Sequence, residues 1–167
     1  ASNDVDAVHR HDSAYFERID ALEFSLQHDD SRRLESVHEA DIVLVGISRV
    51  SKTPTSAYLG WLGHRVANIS IVPSLDLPGE LKKCRKKTVG LTMRPKMLAE
   101  IRNRRLEANG FLGGMEEGNE YTFLRSVITE VAQAERIYRG LDIPVIDTSR
   151  LTIEETAARV LKILALG

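Results

Sequence analysis

Residues 40–46, Ala-Asp-Ile-Val-Leu-Val-Gly, constrain the fold more than any other stretch of the chain. Four aliphatic side chains stand in succession, with no polar residue to face water. The run is too short and too uniformly apolar for a surface helix, and it lacks the alternation of a strand with one wet face. It reads as a strand buried on both faces, which belongs in a parallel sheet covered by helices. Gly46 closes the run, a short loop follows, and residues 53–63 read as a helix with Pro54 near its first turn.

Strand, loop and helix in that order suggest a phosphate-binding loop. The general pattern is G-x-x-x-x-G-K-[ST]. Gly46 fills its first position, Ile47, Ser48, Arg49 and Val50 the variable ones, and Lys52-Thr53 its end, but Ser51 stands in place of the second glycine. The chemistry needs backbone N–H groups curled around phosphates with the positive end of a helix behind them. Lys52 would neutralise the terminal phosphates, and the Thr53 hydroxyl would hold a magnesium ion. The competing reading is an ordinary strand-to-helix turn with Lys52 in water. Ser51 weakens the pattern because the second glycine often takes a conformation that disfavours a Cβ. Arg49 could meet a phosphate or point to solvent.

The rest of the chain repeats the alternation. Residues 13–28 place Phe16, Ile19, Leu22 or Glu23, and Leu26 at helical spacing after a candidate Ser13 cap. Residues 65–73 and 87–93 read as strands, and Pro95 starts a helix to about Asn109, closed by Gly110. Four glycines among acidic residues make 110–120 a loop expected to be mobile. From Tyr121 a long amphipathic helix carries Leu124, Val127 or Ile128, Val131, Ile137 and Tyr138. Residues 143–149 form the last strand, and Thr152 with Glu155 make a capping box for a final helix burying Ile153, Ala157, Val160, Leu161 and Leu164. The expected architecture is α/β: a P-loop-like parallel sheet flanked by helices, with an N-terminal helical arm. Residues 1–39 are the arm, a remnant or linker from a missing N-terminal domain, and 40–167 the nucleotide-binding domain.

Composition removes several function classes. A chain of 167 residues with 43% hydrophobic and 28% charged residues is that of an ordinary globular domain. A net charge of −1 exerts no bulk pull toward nucleic acid or membrane. The single Cys84 excludes an internal disulfide framework and a cysteine-rich zinc site, and fits a reducing, cytoplasmic setting. No apolar run approaches the roughly 20 residues of a spanning helix. The polar N-terminus lacks the apolar stretch of a secretory signal and begins without Met, as a fragment or processed chain would.

Taken together, residues 15–30, the stretch "ADIVLVGISRVSKTPTSAYL", "RVANISIVP", "VGLTMRP" with "IRNRRL", and "IPVIDTSRLTIEETAARVL" carry a resemblance, in the same order from about Tyr15 to Leu164. The chain resembles the pyruvate, phosphate dikinase regulatory protein family. Its relatives that regulate phosphoenolpyruvate synthase usually carry a glycine before the lysine, so Ser51-Lys52 is more similar to the dikinase-type branch. The resemblance implies a bifunctional enzyme. It would use ADP to phosphorylate a threonine of a dikinase already phosphorylated on its catalytic histidine, leaving AMP and switching the target off. It would reverse this with inorganic phosphate, releasing pyrophosphate. The nucleotide loop would be Gly46, Ile47, Ser48, Arg49, Val50, Ser51, Lys52 and Thr53, with Thr53 toward Mg2+. Members of the family carry a further domain ahead of this region, so a truncated or proteolysed chain is expected. The cytoplasm, or an organelle stroma in a plant, is the implied location, and a homodimer stays open.

Transfer to a hydroxyl needs a group that accepts or orients its proton. Asp29 and Asp30, beside His28, form the densest acidic cluster before the loop and stand where the family has its acidic pair. They could share the roles of base and metal ligand, or be a solvated helix end. The family usually places Gly after this pair; Ser31 stands here. Asp147 ends the last strand, on the edge where α/β ligands collect, and could orient a metal or cap a turn. Asp76 has the same ambiguity. Arg102, Arg104 and Arg105 share a helix that could brace a phosphoryl group or be a solvated face. His9 and His11 read as surface residues, and Trp61 and Tyr58 as packing. Two further readings compete: a non-catalytic ADP- or AMP-binding module, and a conventional P-loop kinase or GTPase. The absence of N-K-x-D argues against the GTPase.

Overall fold

The computed structural model describes residues 3–110 and 119–167, with side chains from residue 12 onward. Four strands, Ile42–Gly46 (β1), Val66–Ser70 (β2), Thr88–Thr92 (β3) and Val145–Asp147 (β4), form one sheet in the order β2-β1-β3-β4. Every pairing is parallel, with Ile42 opposite Val66, Val43 opposite Thr88 and Gly90 opposite Val145. All residues of β1 and β3 are buried, so the sheet is covered on both faces, as the unbroken apolar run of β1 requires. The expected α/β architecture is the one found.

Among the described residues six α-helices accompany the sheet: Asn3–Gln27 (α1), Lys52–Trp61 (α2), Gly79–Lys83 (α3), Pro95–Ala108 (α4), Asn119–Leu141 (α5) and Ile153–Ile163 (α6). Helix α2 packs against both α1 and α6, while α4 packs on α5. The capping box of α6 is present, with Thr152 Oγ1 accepting from the Glu155 N–H and the Glu155 carboxylate accepting from the Thr152 N–H. Gly110, at φ +92°, follows the end of α4 as expected. Helix α5 begins at Asn119 and buries Val127 while Ile128 stays exposed. Ile153, expected inside, is 37% exposed. The expected mobile loop falls largely on residues 111–118, outside the described ones. Among the described residues no helix is long and apolar enough to cross a membrane.

Helix α1 differs most from expectation. It runs from Asn3, so Ser13 lies within it and caps nothing. Its apolar row of Tyr15, Phe16, Ile19 and Leu26 is exposed, and the buried row is Ala21, Phe24 and Ser25. Close approach explains the choice. A Cβ built on Gly60 of α2 would lie 2.8 Å from Ser25 Oγ and 3.1 Å from the Leu22 Cα, so small side chains must face each other here. Ser25 Oγ then donates to the Ala21 carbonyl at 2.8 Å and accepts the Val66 N–H at 3.0 Å, fastening α1 to the start of β2.

On the other side of the core, Tyr138 of α5 lies across Gly90 of β3. Its hydroxyl is 2.7 Å from the Leu91 carbonyl and 3.1 Å from that of Val45, and burial pushes its pKa upward. A Cβ on Gly90 would come within 3.0 Å of three Tyr138 ring atoms, whereas one on Gly140 meets nothing within 4 Å. In urea unfolding, Gly90→Ala is therefore expected to lower stability by about 1–3 kcal/mol. Gly140→Ala, in the exposed last turn of α5, should raise it by about 0.5–1 kcal/mol.

Candidate functional site

The chain leaves β1 toward β2 on one side and later returns through β3 on the other, so a crevice opens beyond Gly46 at the carboxyl edge of the sheet. Gly46 is required by close approach. A Cβ there would lie 2.7 Å from Val50 Cγ2 and 3.1 Å from the Leu91 carbonyl oxygen, because the loop curls back over its own start. Arg49 and Ser51 hold left-handed backbone, at φ 70° and 74°. For residues with a Cβ this conformation costs about 1–2 kcal/mol each. Position 51 thus has the backbone that the general pattern assigns to glycine.

Ser51 precedes α2 but makes no side-chain cap, and the first turn of α2 holds no acidic residue. The first N–H groups of α2 thus have neither a side-chain cap from Ser51 nor an acidic residue of their own turn. Lys52 lies inside the curl, with Nζ donating to the Ile47 carbonyl at 2.7 Å. Burial pushes its amine down to about 8, partly countered by the negative charges of Asp30 and Asp29.

The acidic pair reaches the loop from the end of α1. Residues 28–31 run beside the open edge of β2: the Asn68 N–H donates to the His28 carbonyl at 3.1 Å, and the Ser31 N–H to the Asn68 carbonyl at 2.9 Å. Asp30 and Ser31 are left-handed, at φ 52° and 63°, so here too a serine holds backbone that suits glycine. Asp29 Oδ1 accepts the Thr53 hydroxyl at 2.8 Å and Asn68 Nδ2 at 2.6 Å. The Ser70 hydroxyl donates to Asp30 Oδ1. Thr53 turns its proton to Asp29 and keeps its oxygen lone pairs for another partner.

These groups form one wall of a cleft of about 640 Å³, within the range of small-molecule sites. Val72, Pro73 and Ile101 supply apolar surface to the same cleft. Of the three arginines on α4, Arg102 touches the loop. Its guanidinium donates to the Ser48 carbonyl at 2.9 Å and makes a two-pronged pair with Glu130 of α5 at 2.6 and 3.0 Å. Arg104 and Arg105 are exposed.

Asp147 sits apart from this group. Its Oδ1 accepts the Ser149 N–H at 2.9 Å and the Ser149 hydroxyl, closing the turn after β4, and it does not line the cleft. Asp76 and Trp61 are exposed. Tyr58 packs half-buried against the core. The side chains of His9 and His11 lie outside the described residues. Among the described residues no group of three or more His, Cys, Asp or Glu is arranged to hold a metal ion. Asn68, Ser70 and Glu130 were not read from the sequence as site residues. The signal for the first two was available: Asn and Ser alternating with aliphatics within a buried strand.

Comparison with known proteins identifies the family. The sequence model of the kinase/pyrophosphorylase family matches residues 1–161, and the chain belongs to that family. It is 46% identical over 153 residues to a protein of Paramagnetospirillum magneticum named putative pyruvate, phosphate dikinase regulatory protein, covering 91% of this chain and 48% of that one. Proteins of the same name from Afipia carboxidovorans (42% over 164 residues; 96% and 58%) and Bradyrhizobium diazoefficiens (41% over 160; 95% and 56%) are similar. The chain thus spans about half the length of the curated relatives it matches.

The depressed Lys52 amine gives the site a pH signature. In the free protein Lys52 loses its proton near pH 8. A bound phosphate favours the charged form, so above that pH binding must take up a proton and affinity falls as pH rises. If ADP is the ligand, its affinity by calorimetric titration should fall by up to about tenfold per pH unit above pH 8. Lys52→Met should bind weakly with no such break, and a flat wild-type profile would remove Lys52 from the anion site.

Proposed function

Starting from that family membership, we propose that this chain carries the nucleotide site of a regulator of pyruvate, phosphate dikinase. It transfers the β-phosphoryl group of ADP to a threonine hydroxyl of the dikinase, leaving AMP and inactivating the target. In the opposite sense it uses inorganic phosphate to remove that phosphoryl group as pyrophosphate, restoring the hydroxyl. The observation that supports this most is the loop of residues 46–53, with an uncapped helix behind it and the Asp29–Thr53 hydrogen bond across it. The relatives' printed names supply the target.

One cradle suits both directions, because ADP and pyrophosphate share a diphosphate. The loop and the start of α2 bind it, and Lys52 exchanges the Ile47 carbonyl for a phosphate oxygen. Glu130 keeps Arg102 on the loop carbonyl of Ser48, which steadies the loop. Asp29 or its neighbour Asp30 accepts the threonine proton as the oxygen attacks phosphorus. An all-oxygen set of Thr53 Oγ1 and Asp29 fits Mg2+ and would hold it. When bound, that ion neutralises charge on the phosphate oxygens. The dikinase and this chain would share the cytoplasm or an organelle stroma.

The test uses ADP labelled in its β-phosphate and dikinase phosphorylated on its catalytic histidine. Label on the target threonine is the expected result. Asp29→Asn should lower the rate by about 100-fold or more, within the range of general acid–base contributions. Lys52→Met should abolish transfer. Label appearing on phosphoenolpyruvate synthase instead would redirect the target. ADP binding without transfer to either enzyme would reduce this chain to a nucleotide-binding module.

A further inference from the structure

We infer that Asn68 of β2 is a positioning residue that sets Asp29 against Thr53 and so governs how the site takes a divalent cation. The inference rests on the reading of Asp29 and Thr53 given above. Asn68 is 1% exposed, in a strand whose other inward residues are Val66, Ala67 and Ile69. An amide at such a place is costly unless its polar atoms are engaged. Here each of them engages the site. Nδ2 donates to Asp29 Oδ1 at 2.6 Å and to Ser56 Oγ of α2 at 3.1 Å, and Oδ1 accepts the Asp30 N–H at 2.8 Å. The partners fix the amide's orientation, because a flipped side chain would set oxygen against the carboxylate and NH2 against an N–H.

The consequence lies in which oxygen is used. Asn68 and Thr53 both bond Oδ1 of Asp29, which fixes that oxygen, while Oδ2 makes no hydrogen bond among the described residues and Asp29 lines the cleft. Two residues along the strand, on the same side, Ser70 holds the Asp30 carboxylate in the same manner. The period of β2 thereby templates two adjacent carboxylates whose backbone, left-handed at Asp30 and Ser31, would not hold that arrangement unaided. Groups that orient a metal ligand from behind typically govern metal affinity by 10–100-fold.

The test is ADP affinity by calorimetry, with and without Mg2+, for wild type, Asn68→Leu, Asn68→Ser, Asp29→Ala and the Asn68→Ser/Asp29→Ala pair. Leu keeps the shape of Asn without its polar atoms; Ser stays polar but is too short to reach Asp29, and is the variant expected to fold. The affinity gained on adding Mg2+ should fall by about tenfold or more in both Asn68 variants, with metal-free affinity unchanged. In its Mg2+ response the double variant should match Asp29→Ala alone, since of the three bonds Asn68 makes, the one to Asp29 is the one proposed to reach the cation. A wild-type Mg2+ response in Asn68→Ser, or losses that add in the double variant, would overturn the inference and leave the proposed function standing. A wild-type chain that binds ADP equally with and without Mg2+ would overturn both.

Discussion

A lysine folded into its own loop is the interaction on which the rest of the site depends. Lys52 is buried, and its amine is held by the Ile47 carbonyl and by the nearby charges of Asp30 and Asp29. Burying a cation is unfavourable unless something compensates, and here the compensation is incomplete enough to bring its pKa down to about 8. That imbalance is what a phosphate would relieve. The loop is thus shaped around a charge that the fold itself compensates only in part, as expected where binding energy matters more than stability.

The surrounding strain is consistent with that. Four residues with a Cβ near the cleft, Asp30, Ser31, Arg49 and Ser51, hold left-handed backbone. Contacts from neighbouring elements hold the two segments in which they lie. The sheet edge grips residues 28–31 through Asn68, and Arg102 with Glu130 grips the Ser48 carbonyl. Strained positions kept in place by surrounding contacts cluster at functional sites. The same elements are those that hold the core together: β2 is fastened to α1 by Ser25, and β3 to α5 by Tyr138 over Gly90. The crevice therefore rests on rigid elements on both sides.

Much of the fold was legible because its signals are local. The unbroken aliphatic run of β1, the glycine after α4 and the Thr152–Glu155 box each specify their element within a few residues. The misread parts depend on what lies across the interface. In α1 the large apolar side chains suggest the buried face, but the approach of Gly60 admits only small ones, so Ala21 and Ser25 go inside and Phe16 stays out. Among Arg102, Arg104 and Arg105, nothing in the sequence selects the one that meets Glu130, which lies 28 residues further along. In the site, Gly46, Lys52, Thr53 and the acidic pair were legible from the motif and its neighbourhood. Asn68 was not, because its strand reads as core. Asp147 was placed correctly on the carboxyl edge, but the edge extends past the cleft, and its own Ser149 occupies it.

The most direct measurement is a crystal structure of this chain with ADP and Mg2+. If the loop is a diphosphate site, Lys52 Nζ will have left the Ile47 carbonyl for the β-phosphate, at about 2.8 Å, with the start of α2 pointing at the same group and Asp29 still bonded to Thr53. A nucleotide bound elsewhere, or a Lys52 still donating to Ile47 beneath it, would contradict a phosphate role for the loop.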